Sequence, residues 1–248
     1  MPYAAVAYIQ KDHVAYLTLN RPELNNIINQ QLAQELEDVC YRINHDDDIY
    51  VVTITGAGDK AFCGGSELEQ VSLGYSPATA IASIDRPVIA AINGDALGQG
   101  LELALSCDIR LTSSQARFGF PQVGKGLIPM DGGTQRLSRI IGKGKALELV
   151  LTAEVISAEE AFEIGLVSKV VTEESLTSEV EALAKVMAGK GPVAIRYAKE
   201  AVNKGLDLTL DQGLRLEADL YFLLHTTADR AEGIDAFLKK RSPRFRAQ

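Results

Sequence analysis

Glu102 is an acidic residue in an otherwise apolar segment, LELAL (101–105). The short helix predicted over Leu101–Ser106 has no obvious polar face, so we expect the carboxyl group to be desolvated. Desolvation raises the pKa of a carboxyl and suits it to moving protons near neutral pH. A buried glutamate could equally pair with a structural arginine such as Arg110 or Arg136, and the sequence alone leaves both interpretations open.

Two glycine-containing segments come close to nucleotide-binding motifs. GFPQVGKG (119–126) has the spacing of a phosphate-binding loop, but residue 126 is glycine, so the Mg²⁺-ligating hydroxyl is absent. Pro121 also removes a backbone donor from the supposed loop. GQGLEL (98–103) follows a predicted strand, yet Leu103 stands where a dinucleotide fingerprint has its third glycine. These departures argue against both nucleotide interpretations.

Histidines and nucleophiles offer little further chemistry. The histidines are His13, His45 and His225, and His45 beside three aspartates is more typical of a solvated loop than of a metal site. The sequence has no GxSxG motif and no serine or cysteine with a histidine nearby, so nucleophilic hydrolysis lacks support. We expect no metal site.

Composition and cysteine usage indicate a soluble globular domain of the cytoplasm. The 248 residues are 46% hydrophobic and 23% charged, which excludes a disordered or fibrous chain. The net charge of −8 argues against a nucleic-acid partner. Three cysteines without CxxC spacing suit a reducing compartment, and we see neither a signal peptide nor a membrane span of about 18 apolar residues.

Hydrophobic periodicity predicts strand, loop and helix units in the first half and helices in the second. Ala4–Gln10 and His13–Leu19 alternate as a β-hairpin with Lys11 and Asp12 between them. A helix is predicted over Ile28–Ile43, and Ile49–Thr55, Pro87–Asn93 and Ile109–Thr112 are predicted buried strands. Two capping boxes, SAEE (157–160) and TLDQ (209–212), start later helices, the second with a stripe of Leu210, Leu214, Leu220 and Leu224.

Six segments together resemble the enoyl-CoA hydratase/isomerase family, also called the crotonase superfamily. They occur in the family's order and cover nearly the whole chain: LNRPELNNIIN (19–29), ITGAGDKAFCGGSEL (54–68), RPVIAAINGDALGQGLELALSCDIRL (86–111), FGFPQVGKGLIPMDGGTQRLSRIIG (118–142), LTAEVISAEEAFEIGLVSKVV (151–171) and EGIDAFLKKRSPRF (232–245).

The resemblance implies an α/β fold, a crotonase-like spiral of ββα units with a helical C-terminal trimerisation region. The core would span residues 1–190 and the helical region 191–248, within one structural unit. It implies an acyl-CoA substrate, no cofactor beyond the coenzyme A of that substrate, no nucleic-acid or membrane partner, and a homotrimer or homohexamer.

The resemblance also assigns binding roles. The N–H groups of Ser66 and Gln99 would form an oxyanion hole for the thioester oxygen, although these positions more usually hold alanine and glycine in the family. Glycine-rich turns suit that role because backbone amides approach a ligand only where side chains do not block them. Substrate or coenzyme contacts are implied for Ala61, Phe62, Gly65, Leu68 and Gly98, and for Phe237 and Lys240 of a neighbouring subunit.

Catalytic roles are implied for Glu102, Gln122 and Asp131. Glu102 matches the first of the two acid–base carboxylates of the hydratases, but the second position holds Gln122, whose amide does not titrate. Gln122 is therefore expected to position water or the acyl chain. Asp131 matches a catalytic aspartate of some relatives, or else the N-cap of a helix over Gly132–Ile141. Hydration is expected, with double-bond isomerisation by Glu102 and Asp131 as the alternative. Specialised chemistry (C–C hydrolysis, decarboxylation, dehydration on an acyl carrier) and a silent CoA-ester-binding scaffold also stay open.

Overall fold

The computed structural model describes residues 3–67 and 75–247, which form ten strands and ten α-helices. The strands are β1 (Val6–Lys11), β2 (Val14–Leu19), β3 (Val51–Gly56), β4 (Ala61–Cys63), β5 (Val88–Ile92), β6 (Asp95–Leu97), β7 (Ile109–Ser113), β8 (Arg117–Gly119), β9 (Val155–Ser157) and β10 (Lys169–Val171). The helices are α1 (Gln30–Asn44), α2 (Pro77–Ala82), α3 (Gln99–Ser106), α4 (Gly133–Ile141), α5 (Lys143–Thr152), α6 (Ala158–Glu163), α7 (Glu173–Ala188), α8 (Pro192–Gly205), α9 (Leu210–Leu224) and α10 (Ala228–Leu238).

The strands build two sheets, and the chain passes from one to the other. The larger sheet has the order β1-β2-β3-β5-β7-β10, and the smaller has the order β4-β6-β8-β9. Only the pairs β1–β2 and β8–β9 are antiparallel among the described strands. From β3 to β8 consecutive strands alternate between the sheets, so each repeat advances both sheets by one strand in a spiral.

The central strands and the first helix follow the sequence predictions closely. β5 is buried along its whole length and β3 almost so, because both are continuous runs of apolar and β-branched residues. α1 buries Leu32, Leu36, Val39 and Ile43, the stripe expected of an amphipathic helix. It begins two residues later than predicted, because the Asn29 side chain accepts a hydrogen bond from the Leu32 N–H and caps it.

The N-terminal hairpin is present, with its turn one residue later than predicted. Lys11 pairs with Val14 inside the ladder, so Asp12 and His13 form the connection. Their φ angles of 50° and 66° are left-handed, as a two-residue turn between twisted strands requires.

The C-terminal helices leave much of their apolar surface outside the core. The predicted division at residue 190 falls between α7 and α8. Lys199 on α8 donates hydrogen bonds to the carbonyls of Ile84 and Arg86, which attaches this helix to the segment between α2 and β5. Both predicted capping boxes are present. The predicted stripe on α9 packs only in part, since Leu220 is buried while Leu210 is 80% exposed.

Within the described ranges, no helix is both long enough and apolar enough to cross a bilayer. All three cysteines are buried and unpaired.

Candidate active site

Two glycine turns end neighbouring strands at one edge of the smaller sheet. β4 and β6 are parallel neighbours, so the residues that follow them, Ser66 and Gln99, leave the same edge. Gly65 and Gly98 have φ angles of 123° and 54°, a region that favours glycine. A Cβ on Gly100 would lie 2.0 Å from the carbonyl oxygen of Cys63, so the two turns pack backbone against backbone.

The N–H groups of Ser66 and Gln99 are available to a ligand. Neither donates a hydrogen bond to any atom of the described residues. Gln99 is the first residue of α3, and the first N–H groups of a helix have no partner within it. Donors at such a position, with the positive end of the helix dipole, suit an oxygen that gains negative charge.

Glu102 lies one turn further along α3 and is completely buried. Its Oε1 accepts hydrogen bonds from the N–H groups of Asp131 (2.7 Å) and Gly133 (2.8 Å). Its Oε2 has no hydrogen-bond partner among the described residues. One oxygen of the carboxylate is therefore fixed by hydrogen bonds, and the other is free to contact a ligand.

The arginine pairing considered for Glu102 is wrong. The guanidinium of Arg110 donates to the carbonyl oxygens of Leu166 and Cys107, at 2.8 and 2.6 Å. That of Arg136 donates to the carbonyl oxygen of Asp131 at 2.6 Å. No cation therefore compensates the charge of Glu102 within the described residues.

Burial raises the pKa of the Glu102 carboxyl above its ordinary value. The hydrogen bonds from Gly133 and Asp131 lower this pKa, and the nearby Asp131 charge raises it again, so that the net direction is upward. Gly133 is required for this contact, since a Cβ there would lie 2.9 Å from Oε1 of Glu102 and 2.8 Å from the Phe120 ring. Sequence reasoning missed Gly133, whose role depends on this tertiary contact.

Asp131 is buried, but both of its carboxylate oxygens are already occupied. Oδ2 accepts from the N–H of Ala78 at 2.7 Å, and Oδ1 accepts from the hydroxyl of Thr79 at 2.9 Å and its N–H at 3.2 Å. Asp131 thus caps α2, whereas α4, the helix whose cap was the alternative role for Asp131, has no side-chain cap. This arrangement favours a positioning role for Asp131, because its backbone N–H holds Glu102.

Gln122 is half-buried, and its side chain lies against Gly98, the residue that precedes α3. Its Nε2 would be 3.3 Å from a Cβ on Gly98, and its Oε1 is buried without a hydrogen-bond partner in the described chain. The carboxamide therefore borders the first turn of α3, the helix that carries Glu102 and Gln99.

The residues expected to contact the coenzyme differ in their exposure. Phe62 is fully buried in the hydrophobic core, so its side chain is not available to a ligand and only its main chain could contribute. Ala61 borders a cleft of about 560 Å³ beside the glycine turns, lined also by Asn25, Ile27, Lys60, Gly64 and Leu97. Leu68 lies outside the described residues. Phe237 and Lys240 are exposed at the C-terminal end.

Asn26 supports these turns and was also missed by the sequence analysis. It is fully buried, and its Nδ2 donates to the carbonyl oxygens of Ala57 and Ala61, at 3.0 and 2.8 Å. Its Oδ1 accepts from the N–H of Arg21 at 3.0 Å. It lies in the segment LNRPELNNIIN, but local sequence gives no sign that its two carbonyl acceptors are more than thirty residues away.

Comparison with known proteins gives a consistent result. The family model described as enoyl-CoA hydratase/isomerase matches residues 10–248. The chain is 41% identical to a crotonyl-CoA hydratase of Syntrophomonas wolfei over 99% of each chain. It is 39% identical to a short-chain-enoyl-CoA hydratase of Clostridium acetobutylicum over 92% of each. The crystal structure of an enoyl-CoA hydratase from Bacillus anthracis superposes with a TM-score of 0.94 at 38% identity, covering 99% of this chain and 100% of that one.

These matches confirm the α/β crotonase-like fold predicted from the sequence, and they confirm the functional class. The chain belongs to the enoyl-CoA hydratase/isomerase family and is an acyl-CoA-processing enzyme of that type.

Proposed function

We propose that the protein hydrates short-chain 2-enoyl thioesters of coenzyme A, with Glu102 as its acid–base group. The observation that carries this proposal is the free, buried Oε2 of Glu102, on the helix whose first N–H is also free. The names of the two relatives, crotonyl-CoA hydratase and short-chain-enoyl-CoA hydratase, support a short acyl chain.

In this mechanism the N–H groups of Ser66 and Gln99 donate hydrogen bonds to the thioester oxygen. They withdraw electrons from the conjugated double bond, so that C3 becomes electrophilic, and they stabilise the enolate oxygen that forms. Each such donor is worth about 2.7–4 kcal/mol of transition-state stabilisation.

Glu102 transfers the protons. The oxygen of a water molecule bonds to C3 while one water proton passes to Oε2 of Glu102, and the electron pair of the double bond moves to the thioester oxygen. The enolate then collapses and takes a proton from Glu102 at C2. Water has been added and the carboxylate is restored. A raised pKa suits a group that must both accept and donate a proton near neutral pH.

Isomerisation is the second candidate, and Gln122 is the observation that favours it. An amide cannot accept or donate a proton at physiological pH, so the site has one titrating carboxylate where a two-glutamate hydration uses two. In isomerisation Glu102 alone would remove a proton from C2 of a 3-enoyl thioester and return it to C4.

The remaining proposals concern coenzyme binding, assembly and compartment, and they rest on where the residues lie and how exposed they are. We propose that the main chain around Ala61, Gly65 and Gly98 contacts the coenzyme, which is part of the substrate, and that no further cofactor is needed. A homotrimer or homohexamer would cover the exposed apolar side chains of α9 and α10 and bring Phe237 and Lys240 to a neighbour's site. Three unpaired buried cysteines suit the cytoplasm.

The test is incubation of the purified protein with crotonyl-CoA and, separately, with a 3-enoyl-CoA ester, followed by chromatography. We expect 3-hydroxybutyryl-CoA from the first incubation, formed far more slowly by the Glu102→Gln variant. Formation of a 2-enoyl ester only from the second substrate would replace hydration by isomerisation. Binding of both esters without turnover of either would overturn the proposal in favour of a scaffold.

A further inference from the structure

The first turn of α3 carries a concentration of buried polar atoms without partners. Five buried side-chain nitrogen or oxygen atoms of the described residues lack a hydrogen bond, and four of them belong to Gln99, Glu102 and Gln122. Leaving such groups unpaired in a folded protein is costly, at about 1–3 kcal/mol each. Their clustering in one place therefore indicates a ligand rather than scattered imperfections of packing.

Gln99 is the unexpected member of this cluster. Its side chain is only 2% exposed, and both Oε1 and Nε2 lack a partner in the described chain. The oxyanion role uses only its backbone N–H, so that role leaves the carboxamide unexplained. A glycine at this position would provide the same N–H without a polar side chain to bury.

The three side chains share one neighbourhood. Gln99 and Glu102 are three residues apart on α3, and residues with this spacing lie on the same face of a helix. Gln122 reaches the same turn from another segment, with its carboxamide against Gly98. The available groups are therefore one free carboxylate oxygen and two carboxamides, which together can accept and donate hydrogen bonds.

We propose that the carboxamide of Gln99, together with that of Gln122, positions the hydroxyl group at C3 of the substrate beside the free oxygen of Glu102. Before addition this hydroxyl belongs to the reacting water, and after addition it is the 3-hydroxyl of the product. The proposal rests on the hydratase function above. The proton path is unchanged, since Glu102 takes the proton from water and returns one to C2. The carboxamides replace a second carboxylate only in orienting the oxygen, and Gln99 is thereby a positioning residue.

The test compares two ligands that differ only in the hydroxyl, 3-hydroxybutyryl-CoA and butyryl-CoA. Calorimetry would use Glu102→Gln protein, which converts the ligand far more slowly than the unmodified protein, with and without Gln99→Met. Methionine retains the volume and the backbone N–H but removes the carboxamide. We expect binding of 3-hydroxybutyryl-CoA to weaken about 3- to 10-fold, the usual effect of one neutral hydrogen bond, and binding of butyryl-CoA to be unchanged.

Controls separate this effect from misfolding. Gln99→Ala, which creates no steric conflict, should give the same selective loss, and Gln30→Met, at the exposed first residue of α1, should change neither affinity. In otherwise unmodified protein, Gln99→Met should lower kcat for crotonyl-CoA more than it raises KM.

Equal losses for the two ligands, or no loss for either, would overturn the positioning role of Gln99. Absence of crotonyl-CoA hydration by the unmodified protein would instead refute the proposed function. The binding comparison would still decide whether Gln99 recognises a hydroxyl.

Discussion

The first turn of α3 and the surface of α9 and α10 both contain groups in an unfavourable environment, but the groups are polar in the first region and apolar in the second. Around α3, polar atoms are buried without hydrogen-bond partners, most clearly Gln99 and Oε2 of Glu102. On α9 and α10, apolar side chains are exposed, with Leu210 at 80%, Phe222 at 66% and Phe237 at 81%. Burying unpaired polar groups and exposing large apolar ones are both unfavourable in an isolated chain.

The difference indicates what each region binds. Unpaired donors and acceptors in a buried turn suit a small polar ligand, which we propose is the thioester and hydroxyl oxygens of the substrate. Exposed apolar helix faces suit a second copy of the chain, because oligomers bury such faces symmetrically. The predictions below test the two regions separately, from the largest expected effect to the smallest.

Glu102→Gln should lower kcat for hydration about 10²- to 10⁴-fold, the usual contribution of an acid–base group. The amide preserves the shape of the side chain and an oxygen to accept from Asp131 and Gly133, so folding should be retained. Steady-state kinetics on crotonyl-CoA measures the loss. Glu159→Gln, at an exposed position of α6, is the matched control and should have no effect. Equal activity of both variants would show that Glu102 is not the acid–base group.

The pH dependence follows from the raised pKa of Glu102. The carboxylate must be ionised to accept a proton from water, so kcat/KM should fall as the pH decreases through that pKa. The midpoint should lie above the ordinary glutamate value of about 4.3.

The raised pKa of Glu102 also affects stability. The folded state binds this proton more readily than the unfolded state, so the contribution of Glu102 to the free energy of unfolding falls as the pH rises from the unfolded pKa to the folded pKa.

Ser66→Pro should lower kcat about 10²- to 10³-fold, because proline has no N–H and removes one oxyanion donor. Ser66→Ala is the control, since it removes only the hydroxyl and retains the donor, and it should be nearly as active as the unmodified protein. Thermal unfolding of both variants checks the fold. Comparable losses in the two variants would assign the effect to the hydroxyl rather than the backbone.

Replacing Leu214 and Phe222 together by lysine should dissociate the proposed trimer or hexamer, because it places charge on the exposed face of α9. Sedimentation measures the mass. The KM for the CoA ester should rise several-fold if Phe237 and Lys240 of a neighbour contact the coenzyme. Ile9→Lys, at an equally exposed apolar position on β1, is the control and should leave the mass unchanged. Dissociation without a change in KM would show that Phe237 and Lys240 of a neighbour do not contribute to coenzyme binding.

Asp131→Ala should have the smallest effect on kcat and a clear effect on stability. It leaves the N–H groups of Ala78 and Thr79 without acceptors, which should lower the free energy of unfolding by about 1–3 kcal/mol. Denaturant unfolding measures this loss. A decrease in kcat as large as that of Glu102→Gln, with stability unchanged, would identify Asp131 as a catalytic group.

The sequence was sufficient where structure depends on local pattern. The continuous β-branched run of β3, the periodicity of α1 and the capping box at Ser157 all predicted what the structure contains. Each of these features arises from residues that are close together in the chain. The resemblance to the family then supplied the crotonase-like fold, which the matches confirm.

Long-range contacts could not be obtained in this way. Glu102 binds amides 29 and 31 residues further along the chain, and Asp131 caps a helix 52 to 53 residues before it. Composition and spacing do not specify such partners, so the sequence left an arginine pair open for Glu102 and offered only a catalytic role or the cap of α4 for Asp131. Gly133 was missed for the same reason.

The most direct test is a crystal structure of the Glu102→Gln protein with crotonyl-CoA. We expect the thioester oxygen to lie within hydrogen-bond distance of the N–H groups of Ser66 and Gln99, with C2 and C3 facing the side chain of residue 102. A thioester oxygen bound elsewhere, or an acyl chain turned away from residue 102, would contradict the account.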